Sequence, residues 1–100
     1  MGDIVNLQDE PELCEGRIIA MNIISPLTVE RIELIRNNIV IKKIENINSK
    51  NVEITHMDTD YFEDIALKHA QHDEDFVFYY ARIFLLNNNM AWSSPIWLIK

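Results

Sequence analysis

Glycine appears twice in these 100 residues, proline three times and cysteine once. Each scarcity excludes something. With so little glycine, the left-handed backbone of tight turns falls to Asn, Asp and Ser. A single cysteine, Cys14, closes no disulfide within the chain, so packing must hold the fold, and a reducing, cytoplasmic setting fits. Cys14 stands in an acidic stretch, a setting that does not activate a thiol nucleophile. No apolar run approaches the roughly 20 residues of a membrane span. No basic segment precedes an apolar one, so no signal peptide is expected. Asn6 occupies the position where a myristoylation motif after Gly2 requires Ser or Thr.

Positive charge is also short. Nine Lys and Arg face 16 Asp and Glu, a net charge of -7. Five of the acids (Asp3, Asp9, Glu10, Glu12, Glu15) lie in residues 1–15 without a Lys or Arg, and seven lie in residues 56–75 against Lys68 alone. Phosphate recognition needs clustered basic side chains, and Lys42-Lys43 is the nearest approach to one. Nucleic acid and anionic membrane surfaces are therefore disfavoured as partners.

What is present is apolar and β-branched. Hydrophobic residues make up 48% of the chain, enough to build the core of one small domain. Residues 1–15, with Asp9-Glu10-Pro11-Glu12, read as an acidic lead-in or linker, and residues 16–100 as the domain. Residues 17–24 form a strand candidate ended by Ser25-Pro26. Residues 29–36 and 39–44 read as a hairpin across Asn37-Asn38, with a helix over 29–36 as the alternative. Residues 46–51 form a polar loop, and 52–57 alternate at period two. Residues 58–75 read as a long connection with room for one short helix. Residues 76–86 form a strand apolar on both faces, as in a sandwich centre. Asn87-Asn88-Asn89 make a turn, and residues 90–99 the last strand. The sum is an all-β chain, an immunoglobulin-like antiparallel sandwich of about six to seven strands.

Three constellations invite chemistry. Asp58, Asp60, Glu63 and Asp64, with His56, His69, His72 and Asp73 nearby, are metal-ligand types, but the calcium-loop pattern lacks its third ligand and its glycine. A solvated acidic loop explains them, and no metal or other cofactor is expected. Ser93 and Ser94 have none of the glycines that flank a strained nucleophile turn, so they read as strand residues beside a proline irregularity. Phe76, Phe78, Tyr79, Tyr80, Phe84, Trp92 and Trp97 supply either core or a stacking platform. Trp92 and Trp97 differ by an odd number, so a regular strand sends them to opposite faces, unless Pro95 marks a bulge. Core packing is favoured, with Trp92 inside and Trp97 at an edge or interface. No catalytic residue is assigned, and the chain by itself is not expected to be an enzyme.

Tyr79-Tyr80-Ala81-Arg82-Ile83, followed by Met90-Ala91-Trp92-Ser93-Ser94-Pro95-Ile96-Trp97, resembles the C-terminal β-sandwich of proteins related to the PHP (polymerase and histidinol phosphatase) metal-dependent phosphoesterases. In the first of these stretches Ile83 stands in place of a valine. Ile32-Glu33-Leu34-Ile35-Arg36-Asn37-Asn38 also resembles a hairpin of the same group, with Asn38 in place of its glycine. The resemblance implies an accessory domain packed on the parent's catalytic domain or on a second copy of itself. It implies Tyr79, Tyr80, Arg82, Trp92, Ser93, Ser94, Pro95 and Trp97 as motif residues, with Arg82 paired to a carboxylate or stacked on a ring. The group's chemistry belongs to His-x-His ligands upstream. This chain has no His-x-His, and His56, His69 and His72 do not match those ligands. A ligand module for carbohydrate or peptide, built on surface aromatics, is the alternative.

Overall fold

The computed structural model describes residues 3–68 and 75–100, and the statements that follow concern those residues. They form strands β1 (Asp3–Asn6), β2 (Arg17–Arg36), β3 (Ile39–Ile44), β4 (Ser49–Asp58), β5 (Leu67–Lys68), β6 (Asp75–Leu85), β7 (Asn89–Trp92) and β8 (Ile96–Ile99). One short helix, α1 (Phe62–Ile65), lies in the connection where room for it was expected. The all-β expectation holds. β7 and β8 both pair with β6 and are two pieces of one interrupted strand, which leaves about seven strands in a single sheet.

β2 runs for 20 residues, straight through the Ser25-Pro26 step expected to end it. Its ladder with β4 is interrupted between Ile24 and Val29, so Pro26 sits where no backbone N–H is required. β3 and β4 follow each other along one edge of β2, while β6 takes the other edge of its second half. β2, β3 and β4 are thus one long hairpin. Asn37 and Asn38 turn its tip at φ 52° and 67°, and Asn46 and Asn48, also at positive φ, relax its second strand beside the β2 irregularity. Every positive-φ residue described is an asparagine, as the scarcity of glycine required.

The bend folds the ribbon of residues 17–24 and 51–58 over the rest of the sheet. Ile19 from the ribbon packs with Leu34, Val77, Tyr79 and Leu98 from the sheet. Ile54 packs with Val29, Ile32, Ala81 and Ile83. The two layers expected of a sandwich are therefore two halves of one folded sheet. Burial of each such aliphatic side chain contributes about 1.5–3 kcal/mol before entropy is counted.

Three expectations change. Residues 1–15 are not a lead-in outside the domain: β1 pairs with β8, the Leu7 amide donates to the Ile99 carbonyl at 2.8 Å, and Leu7 is buried in the core. The apolar alternation of Val5 and Leu7 outweighs the surrounding acids. The β1–β8 pairing is also parallel, a departure from a wholly antiparallel sheet. Lastly, β6 is not covered on both faces: Val77, Tyr79, Ala81 and Ile83 are buried, while Phe76, Phe78, Tyr80, Arg82 and Phe84 alternate with them and stay partly open. No described helix is long and apolar enough to cross a membrane.

Candidate functional site

The open face of β6 acquires its character from the irregularity at Ser93-Ser94-Pro95. β7 pairs Trp92 with Arg82, and β8 pairs Trp97 with Phe78. Phe78 and Arg82 share a face of β6 because they are four residues apart. Their partners must share it too, although five residues separate them. One extra residue in the C-terminal strand achieves this, which is what a bulge does. Ser93 fastens it: its amide donates to the Ala81 carbonyl at 2.9 Å, and its hydroxyl oxygen accepts the Ala81 amide at 2.7 Å. Ser94 is exposed and Pro95 half-buried. The bulge exception, not the opposite-face arrangement, is the one realised.

Trp92 is consequently 60% exposed, against the expectation of a core tryptophan. Trp97 is half-buried among rings, 5.6 Å from Phe76 and 5.0 Å from Phe78 between centroids. Phe78 stacks nearly parallel on Tyr80 at 6.2 Å and lies 6.3 Å from Phe76. The hydroxyl of Tyr80 donates to Asn38 Oδ1 at 3.4 Å. Ile4, paired with Trp97 and 69% exposed, extends the apolar surface onto β1. The result is a row of stacked rings along one side of the sheet.

Farther along β6 the face becomes charged. Arg82 donates to Glu33 Oε1 from Nε at 2.9 Å and from Nη2 at 2.7 Å, and its guanidinium lies 5.8 Å from the Phe84 ring. Lys43 reaches the second Glu33 oxygen at 4.0 Å. At the end of the row the Arg31 guanidinium carbon lies over the Phe84 ring, 3.8 Å from its centroid, beside a cleft of about 370 Å³.

A second constellation lies on the inner side, where Asp58 is buried. Tyr79 donates its hydroxyl to Asp58 Oδ2, Arg36 Nη1 reaches both carboxylate oxygens at 3.0 and 2.9 Å, and Arg17 Nη1 lies 3.2 Å away. Arg17 spends its remaining donors on the Leu13, Cys14 and Asp60 carbonyls. This ties the 3₁₀ turn at Pro11–Cys14 to the end of β4. Burial pushes the Asp58 carboxyl upward, but hydrogen bonds from Tyr79, Arg36 and the Asp60 amide outweigh it and hold Asp58 below the usual carboxylate value. Burial and the Asp58 carboxylate push the Tyr79 hydroxyl well above its ordinary value. With its oxygens already occupied by Arg36, Arg17 and Tyr79, Asp58 is a clamp, not a cation ligand. Asp60 is exposed and pairs with Arg36 at 2.9 Å, and Glu63 pairs with Lys100. No cluster of three or more metal-ligand side chains forms among the described residues. His69, His72 and Asp73 lie outside those residues.

The motif residues thus separate. Tyr80, Arg82, Trp92 and Trp97 meet on the outer face, Tyr79 belongs to the inner clamp, and Ser93, Ser94 and Pro95 set the register between β7 and β8. The sequence reading missed the Arg17–Arg36–Asp58 cluster and Arg31. The signal for the first was the mirrored position of Asp58 opposite Arg17 in a long hairpin; for the second it was the even spacing of Arg31 from Glu33, which puts both on one face of β2.

Over 98 residues the chain is 33% identical to an uncharacterized protein of Chlamydia trachomatis serovar D, and the match spans 98% of this chain. Uncharacterized proteins of Chlamydia pneumoniae and Chlamydia muridarum match the same length at 32% and 31% identity. The chain spans about 16% of the length of each of these relatives. No family model matches the chain, and no solved structure matches it.

Proposed function

We propose that this chain is a non-catalytic docking domain whose outer aromatic face packs against a neighbouring domain of a longer polypeptide. The observation that carries the reading is the bulge that brings Trp92 onto the same face as Phe78, Tyr80 and Trp97 and leaves it 60% exposed. A contiguous exposed aromatic surface on a soluble scaffold is characteristic of interaction sites. The relatives supply the context: a segment corresponding to this chain makes up 16% of proteins that are much longer. The PHP-type resemblance suggests one kind of neighbour, a metal-dependent phosphoesterase domain, and the immunoglobulin-like sandwich belongs with that suggestion. A second copy of the chain is the other candidate occupant.

Carbohydrate stacking is the competing reading, favoured by the same exposed Trp92 ring. One titration separates the two. The labelled chain is mixed with the remaining domains of the Chlamydia trachomatis relative, and separately with soluble oligosaccharides. A blue shift and loss of acrylamide quenching of Trp92 with the domains is expected. The same change with oligosaccharide alone transfers the reading to carbohydrate, and no change with either discards the docking face.

A further inference from the structure

The four arginines of the chain are not treated alike. Arg17, Arg36 and Arg82 each form ion pairs with a carboxylate. The Arg31 side chain makes no ion pair and no hydrogen bond among the described residues, and its Nε is buried without a partner. Yet its guanidinium is held: it lies over the Phe84 ring at 3.8 Å. A cation–π contact restrains the guanidinium against the ring, and an arginine held in this way can receive a carboxylate through two parallel hydrogen bonds. The cleft beside it, about 370 Å³, is lined by Phe84, Asn88, Met90 and Glu30. Asn88 is fixed at a positive φ by the turn, so it and exposed Met90 stand at the rim. Glu30 borders the same space but forms no ion pair with Arg31 among the described residues.

We propose that Arg31 on Phe84 is a carboxylate-receiving subsite, filled by an Asp or Glu side chain of the domain that docks on the aromatic face. The inference rests on the docking reading and sharpens it. Phe84 is six residues along β6 from Phe78, so the subsite lies about 20 Å from the centre of the ring row. The partner must therefore present an apolar patch with an acidic side chain at that distance. Charge selects this occupant. Arg82 and Lys43 share a single acid, Glu33, and Arg31 forms no ion pair among the described residues, so even with Glu30 at the cleft this face is locally positive on a chain of net charge -7.

The test uses the intact chain labelled with ¹⁵N, reading the Arg31 Nε–Hε resonance. Sodium benzoate is expected to shift it saturably. Benzamide, which has the same ring without the charge, should leave it in place. Glu30→Gln should strengthen the benzoate response by removing a competing charge, and Arg31→Met should abolish it while the remaining amide spectrum is retained. In the domain titration, Arg31→Met should weaken docking while Arg31→Lys restores only part of it. Equal shifts with benzamide, or no shift with benzoate, overturn the subsite even where Trp92 becomes buried by the neighbouring domains. Undiminished docking by Arg31→Met overturns it as well. A benzoate response with no docking at all overturns the assignment to a protein partner and makes free carboxylates the ligand.

Discussion

Arg36 and Asp58 stand at opposite ends of one long hairpin, and their side chains meet. Arg36 closes the tip, one residue before the Asn37-Asn38 turn, while Asp58 pairs with Arg17 at the base. Nη1 of Arg36 nevertheless lies 3.0 and 2.9 Å from the two Asp58 oxygens. Only a ribbon folded double allows this. Asp58 is therefore the point where the two layers are tied. Replacing it leaves the buried Arg17 guanidinium without its counter-charge, and breaking such a pair costs about 3–5 kcal/mol. Asp58→Asn, which keeps the shape, should lower the unfolding free energy by that order in urea titration. A loss below about 1 kcal/mol would mean the ribbon closes by apolar packing alone.

The same cluster dictates how stability varies with pH. Asp58 is held below its ordinary value in the fold, so its contribution is present above the unfolded carboxylate pKa of about 3.9 and disappears as pH falls through the folded value. Tyr79 is displaced upward, so its contribution is complete below the unfolded tyrosine pKa of about 10 and declines as pH rises beyond it. Tyr79→Phe should remove the alkaline decline and weaken, without abolishing, the acid one that Arg36 still supports, at a cost near neutrality of about 1.5–3 kcal/mol for a hydrogen bond to a charged acceptor. Urea midpoints of the two proteins between pH 3 and 11 check this. An alkaline decline unchanged by the substitution would assign it to another group.

The turn residues give a sharper contrast. Asn37 and Asn38 both sit at positive φ, but the Asn37 side chain ties backbone groups together, donating from Nδ2 to the Ile65 carbonyl at 2.7 Å and accepting the Phe78 amide at 3.1 Å. Asn38 is exposed and reaches only Tyr80 at 3.4 Å. Asn38→Gly should therefore be neutral or stabilise by up to about 1 kcal/mol, since glycine adopts this conformation more freely. Asn37→Gly should destabilise by about 1–3 kcal/mol, because it strands the Phe78 amide. In thermal melts the Asn37 variant should fall below the parent while the Asn38 variant should not.

These contrasts mark what the sequence made legible. Strand identity followed from β-branched alternation, and the turns followed from asparagines standing in for glycine. The bend did not follow, because Ser25-Pro26 ends a strand in most settings and here only interrupts a ladder. Everything that depends on the bend was hidden with it, including the Arg36–Asp58 contact and the burial of Tyr79 beside two guanidinium groups. Leu7 was hidden for a different reason: its neighbours are acids, and composition over residues 1–15 obscured a short apolar alternation that β8 alone completes.

The two tryptophans test the outer face directly. Parity alone sends them to opposite sides, and the single extra residue at Ser93-Ser94-Pro95 reverses that result. Their environments still differ: Trp97 packs on Phe76 and Phe78, whereas Trp92 is 60% exposed opposite Arg82. Trp92→Ala should alter stability by no more than about 0.5 kcal/mol, the range of an ordinary surface substitution. Trp97→Ala should cost about 1.5–3 kcal/mol through lost ring contacts and apolar burial. In docking the order reverses, because an exposed ring has most area left to bury. Trp92→Ala should therefore weaken binding of the labelled chain to the partner domains in a variant that melts like the parent. A Trp92→Ala variant that unfolds several degrees early would place the ring in the core after all, and with it the face would lose its claim to a partner.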